Sequence, residues 1–324
     1  MPVGYIRIIQ PSLQMILNRV GDVNLCSPTK LVHYGQDWVY TQRACSLPVL
    51  QWLNKARSVG MKVCVDYDDI LWLYKGQSLP NYNFSKVNYK QNTIDMAKYL
   101  NESVDKISVT TETLRDSLLQ FVPSNKIEII PNMLTRSIWH YPRDLDGKNL
   151  PLSFLYAGSA THFDNVNKIY GDWTVEWDNY LKDKNISIQG ICPWFIKANN
   201  VYPWVNMNEY VINFYNNSRN TKFILAPLAD NIFNKCKSDL KYLECAAVGR
   251  VALVTDFPNS PYQNAHPLQK IPVNATSKQI SNIVKMCEDN YDEILEYQYK
   301  YLNNRWLENN IGKYQALFEN KVNI

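Results

Sequence analysis

The stretch from residue 231 to residue 256 decides the fold, and it reads NIFNKCKSDLKYLECAAVGRVALVTD. A polar opening is followed by a helical pattern of apolar residues, for which we predict Ser238 as the N-cap and Gly249 as the C′ residue. Short apolar runs over residues 223–230 and 251–255 have the composition of buried parallel strands. The stretch therefore predicts a strand–loop–helix–strand unit of a parallel α/β sheet.

The loop of this unit predicts an anion-binding site. It lies at the carboxyl end of its strand, where the N-terminus of the following helix presents unpaired N–H groups. Lys237, Lys241 and Glu244 follow at spacings of four and three, so they share one face of the helix. The lysines suit a diphosphate, and a carboxylate one turn later can accept hydrogen bonds from ribose hydroxyls. The alternative is that Lys241 and Glu244 form a solvated ion pair on an ordinary crossover helix.

The same stretch resembles the donor-binding signature of the GT-B glycosyltransferases, specifically glycosyltransferase family 4 (glycosyl transferases group 1) and a phage and bacterial subgroup of it. The second acid and the small-residue run of that signature match residues 244–249. Cys236 stands where the family has its first acid, and Val251 replaces the usual proline. The residues that the resemblance implies for donor binding are Asn234, Lys237, Ser238, Lys241 and Glu244. Glu244 would contact the ribose, and Lys237 and the Ser238 turn would contact the phosphates.

A glycine earlier in the chain marks a second part of the predicted donor site. Residues 154–157 form a predicted strand that runs into Gly158 and Ser159. This arrangement resembles the loop at which the second domain of GT-B enzymes meets the donor pyrophosphate through backbone N–H groups. Gly158 would allow close approach of the backbone, and Ser159 and Thr161 can donate hydroxyls. The basic pair that the family carries beyond this glycine has no match here, which transfers the cationic role to Lys237, with Lys235 or Lys241 as alternatives.

Three carboxylates, Asp66, Asp68 and Asp69, follow a predicted strand over residues 62–65. Carboxylates at the carboxyl end of a parallel strand fall in the ligand crevice of an open sheet. We predict that Asp68 or Asp69 accepts a hydrogen bond from the acceptor hydroxyl, so these two and Lys237 are the catalytic candidates. The alternative is an Asp-x-Asp metal site of the GT-A kind, with Mg²⁺ or Mn²⁺ at Asp66 and Asp68. A further alternative for Asp66 is a turn cap.

Length and composition fit a two-domain α/β protein. The chain has 324 residues, of which 46% are hydrophobic, and this is enough for two cores. Together with the resemblance, this predicts the GT-B fold, in which two Rossmann-like domains face a central cleft with their parallel sheets. We place the boundary in a turn-rich stretch. Residues 1–145 would form the N-terminal acceptor domain, and residues 146–324 the C-terminal nucleotide-sugar-binding domain with closing C-terminal helices.

The net charge limits how the protein could contact nucleic acid, and the cysteine pattern indicates its cellular compartment. The net charge is only +4, so contact with nucleic acid would rest on a local patch rather than on a global field. The seven cysteines show no CxxC spacing and are typical of reduced thiols. The N-terminus has no signal pattern, and no apolar run approaches membrane-spanning length. We therefore expect a cytoplasmic protein without an integral membrane segment.

The resemblance implies a retaining glycosyltransferase that moves a hexose or pentose from a UDP-sugar to an acceptor hydroxyl, without a protein nucleophile or a required metal cofactor. A composition rich in Asn, Lys and Tyr indicates an AT-rich genome, and the phage-like variants favour hydroxymethylated pyrimidine in double-stranded DNA as the acceptor. One alternative acceptor is a surface polysaccharide or a lipid-linked glycan. Another alternative is a catalytically inactive homologue that binds a nucleotide-sugar or nucleic acid, which would suit Cys236 and the missing basic pair.

Overall fold

The computed structural model of the chain describes residues 5–19, 23, 25, 35–43, 47–70, 98–139, 147–158, 174–190, 198–202 and 207–319. Within these ranges the strands form two fully parallel sheets, one of four strands and one of six. Parallel sheets are covered by helices on both faces, which is why their strands are nearly continuous apolar runs.

The first sheet is built from consecutive strands, and helices lead into it and connect them. The chain enters through a π-helical turn (Tyr5–Ile9) and α1 (Gln10–Leu17). The strands are, in order across the sheet, β1 (Trp38–Gln42), β2 (Lys62–Tyr67), β3 (Lys106–Val109) and β4 (Ile127–Ile129). The connecting helices are α2 (Leu47–Ser58), a segment over residues 98–103 and α3 (Glu112–Leu118). Leu53, Val63 and Ile107 are fully buried in one core between these elements.

The second sheet has the strand order β7-β6-β5-β8-β9-β10. Its strands are β5 (Ser153–Gly158), β6 (Asn185–Gly190), β7 (Asn200–Tyr202), β8 (Phe223–Ala226), β9 (Val251–Asp256) and β10 (Lys270–Pro272). The chain builds outward from β5 in one direction and from β8 in the other, which is the doubly wound order of a Rossmann-type domain. Ligands of such sheets bind beyond the carboxyl ends of the two central strands, which here are β5 and β8.

Further helices follow β4 and surround the second sheet. They are α4 (Arg136–Trp139), α5 (Val175–Leu181), α6 (Met207–Ser218), α7 (Ile232–Lys235), α8 (Leu240–Ala247), α9 (Ser277–Asp289) and α10 (Tyr291–Asn303). The predicted strand–loop–helix–strand unit is confirmed by β8, α8 and β9. Gly249 follows the C-cap of α8 with a left-handed φ of +69°, as predicted. The prediction of Ser238 as the N-cap was wrong, because α8 begins at Leu240 and its N-cap is Asp239.

The last helix returns to the first sheet. In α11 (Ile311–Phe318), Tyr314 and Leu317 are buried in a cluster with Cys64 of β2. Backbone hydrogen bonds from Leu134 to Arg305 (3.1 Å) and from Leu307 to Leu134 (2.8 Å) join the segment after β4 to the chain ahead of that helix. The segment after β4 is therefore tied to the C-terminal part of the chain, while the division between residues 145 and 146 stays a prediction. Within the described ranges, no helix has the length and apolar character needed to cross a membrane.

Candidate active site

The loop after β8 is shaped by its own asparagines. Asn231 caps α7 by accepting a hydrogen bond from the backbone N–H of Asn234 (2.9 Å). The side-chain amide of Asn234 donates to the carbonyl of Ala229 (3.0 Å), and this residue is buried. Asn234 therefore holds the loop in shape, and its predicted contact with the donor stays a prediction.

The N-cap residue of α8, Asp239, does not cap the helix with its side chain. The Asp239 carboxylate makes no hydrogen bond to the helix. It accepts instead from the guanidinium of Arg305 (2.7 Å to Oδ2) and from the hydroxyl of Tyr301. The helix dipole and the first N–H groups of a helix favour negative charge, so an N-terminus in this state suits an anion.

Lys241 and Glu244 form a pair in which Glu244 is buried and Lys241 is 20% exposed, rather than the solvated pair that we gave as the alternative. The Glu244 carboxylate is 1% exposed and accepts hydrogen bonds from Lys241 Nζ (2.7 Å) and from the hydroxyl of Tyr210 (3.0 Å). Burial alone would lower the pKa of Lys241, but the attraction of Glu244 outweighs it and raises that pKa. A carboxylate in this position is held in one orientation and keeps lone pairs for further donors.

The other central strand of the second sheet, β5, ends at Gly158. The ring of Tyr156 occupies the space beside this glycine, because a Cβ at position 158 would lie 2.6 Å from the Tyr156 oxygen. Any larger residue at position 158 would have to displace that ring. Ser159 and Thr161 lie outside the described residues, so their assignment to the donor stays a prediction.

All four strands of the first sheet lead into polar side chains at one edge. β1 ends at Gln42, β2 is followed by Asp68, β3 by Thr110, and β4 by a short segment that contains Asn132. We call these four residues the polar edge. Because the strands are parallel, their carboxyl ends meet here and face the loop that precedes α8.

Arg43 holds the two carboxylates that we predicted as catalytic. Its Nε and Nη2 donate to the two oxygens of Asp68 (2.7 and 2.6 Å), and Nη2 also donates to Asp69 (2.6 Å). Gln42 adds a hydrogen bond to Asp68 (3.1 Å). The backbone of Arg43 has a left-handed φ of +55°, which is strained for a residue with a side chain. The strain coincides with the placement of the guanidinium between both carboxylates.

The environment of Asp68 brings the pKa of its carboxyl group close to neutral pH. Burial raises the pKa of Asp68 from 3.8 to about 6, and the neighbouring charge of Asp69 acts in the same direction. The hydrogen bonds and charge of Arg43 oppose both effects. A carboxyl group with such a pKa is suited to accept a proton or a hydrogen bond from a hydroxyl group.

Asp66 has a different role from its two neighbours. It lies within β2, is fully buried, and accepts hydrogen bonds from Arg7 Nε (3.1 Å) and from the hydroxyl of Ser108. Asp68 is held by another arginine, so the alternative that placed Mg²⁺ or Mn²⁺ between Asp66 and Asp68 does not fit these contacts. Among the described residues there is also no group of three or more His, Cys, Asp or Glu side chains that could hold a metal ion.

The loop between β8 and α8, which we call the donor loop, reaches the first sheet beside the polar edge. Lys237 Nζ lies 3.9 Å from Asp69 Oδ1 and 4.6 Å from the ring centroid of Phe233. The carbonyl of Cys236 accepts a hydrogen bond from Oγ1 of Thr111, the N-cap of α3 (3.3 Å). The Cys236 side chain is buried in the first core, and this burial raises the pKa of its thiol to about 12. The position of the missing first acid is thus used for packing between the two sheets.

Arg43, Asn132 and Arg305 are site residues that the sequence did not indicate. Arg43 follows a strand that no pattern predicted. Asn132 donates to Ser238 Oγ (2.6 Å), and Arg305 donates to the carbonyl of Asn132 (3.1 Å) as well as to Asp239. Their roles depend on contacts between segments distant in sequence, and no local signal identifies such contacts.

Solved structures with a similar fold include a glycosyltransferase. The glycosyltransferase from Rickettsia africae ESF-5 matches with a TM-score of 0.55 and 13% identity, over 97% of this chain and 82% of that chain. TarM matches with a TM-score of 0.53 and 11% identity, over 87% of this chain and 55% of that chain, so this chain spans about half the length of TarM. No family model matches the sequence, and no curated protein matches it. Together with the two parallel sheets, these similarities confirm the predicted GT-B fold.

Proposed function

We propose that this protein is a glycosyltransferase that moves a sugar from a nucleotide-sugar to an acceptor hydroxyl in the cleft between its two sheets. The observation that carries this function is the distance of 3.9 Å between Lys237 of the donor loop and Asp69 of the first sheet. It brings a cation at the predicted diphosphate site next to the carboxylates predicted for the acceptor. The similar fold of the Rickettsia africae glycosyltransferase supports the same activity.

The donor would bind at the carboxyl ends of β5 and β8. The N-terminus of α8 and Lys237 would hold the diphosphate, on which negative charge develops as the sugar leaves. Glu244, already oriented by Lys241 and Tyr210, would accept hydrogen bonds from the ribose hydroxyls. We take the nucleotide to be UDP and the reaction to retain configuration, as the sequence resemblance implies.

The acceptor would bind at the polar edge of the first sheet. Asp68, with its raised pKa, would accept the hydrogen bond or the proton of the attacking hydroxyl, and Asp69 would lie beside it. No metal is needed in this scheme, because helix N–H groups and Lys237 supply the positive charge. The proposed acceptors are a hydroxymethylated pyrimidine in DNA and the hydroxyl of a glycan. The described cysteines are free and buried, which suits the expected cytoplasmic location.

An inactive homologue is the competing proposal, and the packing of Cys236 weakens it. The side chain at this position packs in the core of the first sheet, so the substitution has a structural reason.

The test is release of nucleoside diphosphate from a panel of UDP-, GDP- and ADP-sugars, with and without DNA containing 5-hydroxymethylcytosine. We expect one donor to be turned over, and the acceptor that accelerates release identifies the acceptor class. Binding of a nucleotide-sugar without any turnover across the panel would support the inactive homologue instead.

Asp68→Asn should slow transfer by about 100-fold, because it removes the group that accepts from the attacking hydroxyl. The wild-type rate should rise with pH around a midpoint near 6, where Asp68 ionises, and the rate of the variant should be flat there. The measurement is the rate of transfer between about pH 5 and about pH 8. Asp116→Asn, at an exposed site beside Arg115, is the matched control and should behave as wild type.

Unfolding does not account for the expected loss of rate at low pH. The folded-state pKa of Asp68 lies above its ordinary value of 3.8, so protonation between about pH 6 and about pH 4 stabilises the folded state. Thermal melts at the same pH values separate the two effects. A wild-type rate that stays flat through pH 6 would exclude Asp68 from the reaction.

A further inference from the structure

Thr110 and Asn132 are buried polar residues with incomplete hydrogen bonding. Thr110 is 3% exposed and Asn132 is 1% exposed. Within the described residues, the hydroxyl of Thr110 and the Oδ1 atom of Asn132 have no hydrogen-bond partner. The other arm of the Asn132 amide donates to Ser238 Oγ (2.6 Å), which places the amide group against the donor loop. Buried polar atoms without partners are rare and costly, so two of them at one edge require an explanation.

Strand register places Thr110 beside Asp68. Asp66 of β2 lies opposite Ser108 of β3, and the Ser108 hydroxyl donates to the Asp66 carboxylate, so these two side chains share a face of the sheet. Asp68 and Thr110 each come directly after the last paired residues of these two strands, Tyr67 and Val109. They therefore lie next to each other at the carboxyl end of the sheet, at the edge that faces the donor loop.

We propose that the Thr110 hydroxyl and the Asn132 Oδ1 atom bind the acceptor, and that this acceptor is a neutral molecule rich in hydroxyl groups, such as a sugar or a polyol. This inference rests on the proposed glycosyl transfer and names its acceptor class. A hydroxyl group both donates and accepts, so it can pair with the amide oxygen of Asn132 and with the hydroxyl of Thr110. Asp68, on the same edge, would then face the hydroxyl that reacts.

The chemistry of the polar edge favours such an acceptor over nucleic acid. A phosphodiester backbone carries negative charge and acceptor oxygens. Asn132 Oδ1, Asp68 and Asp69 are also acceptors, and the Arg43 guanidinium beside the two carboxylates already donates to both of them. A neutral polyol brings its own hydrogen-bond donors to this edge and is not repelled by the two carboxylates.

The test compares Thr110→Val with Thr221→Val. Thr221 is as deeply buried (2% exposed), but its hydroxyl donates to the carbonyl of Asn217 (3.1 Å). Saturation-transfer NMR in the presence of UDP measures binding of glycerol, methyl α-glucoside, methyl N-acetylglucosaminide and an oligonucleotide containing 5-hydroxymethylcytosine. We expect Thr110→Val to keep its melting temperature and to bind the neutral probes at least about fivefold more weakly. Thr221→Val should lower the melting temperature and keep wild-type binding of the neutral probes. Thr110→Ser should also keep wild-type binding.

The outcomes separate the acceptor site from the proposed activity. Unchanged binding of the neutral probes by Thr110→Val, or binding of the oligonucleotide alone, overturns the inference. A wild-type protein that binds none of the probes also overturns it. If sugar binding depends on Thr110 while no donor is turned over, the acceptor site stands and glycosyl transfer fails. If a donor is turned over but the acceptor KM is the same in Thr110→Val, transfer stands and the site fails.

Discussion

Arg7→Met should destabilise the folded protein by about 3–5 kcal/mol, because it leaves a buried carboxylate without its cation. Arg7 and Asp66 are both fully buried, and Arg7 donates to Asp66 through Nε (3.1 Å) and to the carbonyl of Ile130 through Nη1. The Ser108 hydroxyl also donates to Asp66 but brings no charge. Urea denaturation gives the free energy of unfolding of each variant.

Two further variants show whether the loss comes from the uncompensated charge. The double variant Arg7→Met/Asp66→Asn removes both charges and should recover most of the stability. Arg57→Met breaks an exposed ion pair with Asp105 (3.4 Å) and should cost less than about 1 kcal/mol. Equal losses for Arg7→Met and Arg57→Met would show that the buried pair contributes no more than a surface pair.

The buried pair also explains how the N-terminal segment is attached. Arg7 lies in a π-helical turn, yet its side chain reaches β2 and the end of β4. The same sheet receives α11 from the C-terminus, through Tyr314 and Leu317. Both ends of the described chain are therefore anchored on the sheet that carries the polar edge.

The central strands of the second sheet could be predicted from sequence because their signals are local. The apolar run of β9, the periodicity of α8 and the left-handed Gly249 each lie within a few residues, and they agree with one another. The first sheet was less predictable. No strand was predicted over residues 38–42, because this short run shows no clear alternation. The predicted end of β2 at residue 65 also came two residues too early, so Asp66 was grouped with Asp68 and Asp69.

The candidate site depends on which segments meet, and this lies beyond local patterns. The lysines and the glutamate of the donor helix were indicated by their spacing. Their partners were not, since Tyr210 lies 34 residues before Glu244 and Arg305 lies 66 residues after Asp239. Even Cys236, which looked like a lost functional acid, is explained only by its place in the core of the other sheet.

Glu244→Gln should lower kcat/KM for the donor by about 100-fold to 1,000-fold. Two ribose hydroxyls that donate to a carboxylate contribute about 1.5–3 kcal/mol each, and a neutral amide offers a single acceptor oxygen. The buried position of Glu244 strengthens this expectation, because a ribose bound there would be shielded from competing water. Initial rates of nucleoside diphosphate release over a range of donor concentrations measure the effect. The matched control is Glu288→Gln. Glu288 lies on α9 and pairs with Lys222 (2.9 Å), and its substitution should leave these rates unchanged.

The substitution at Glu244 also leaves the partly buried Lys241 without its carboxylate, so loss of fold must be separated from loss of donor binding. Lys241→Met/Glu244→Gln removes both charges of the pair and should recover stability relative to Glu244→Gln alone. Donor turnover should stay low in this double variant, because the acceptor for the ribose is still missing. If turnover instead returns with stability, Glu244 serves the fold and the ribose binds elsewhere. Wild-type turnover in the single variant would lead to the same conclusion and would move the donor site away from this face of α8.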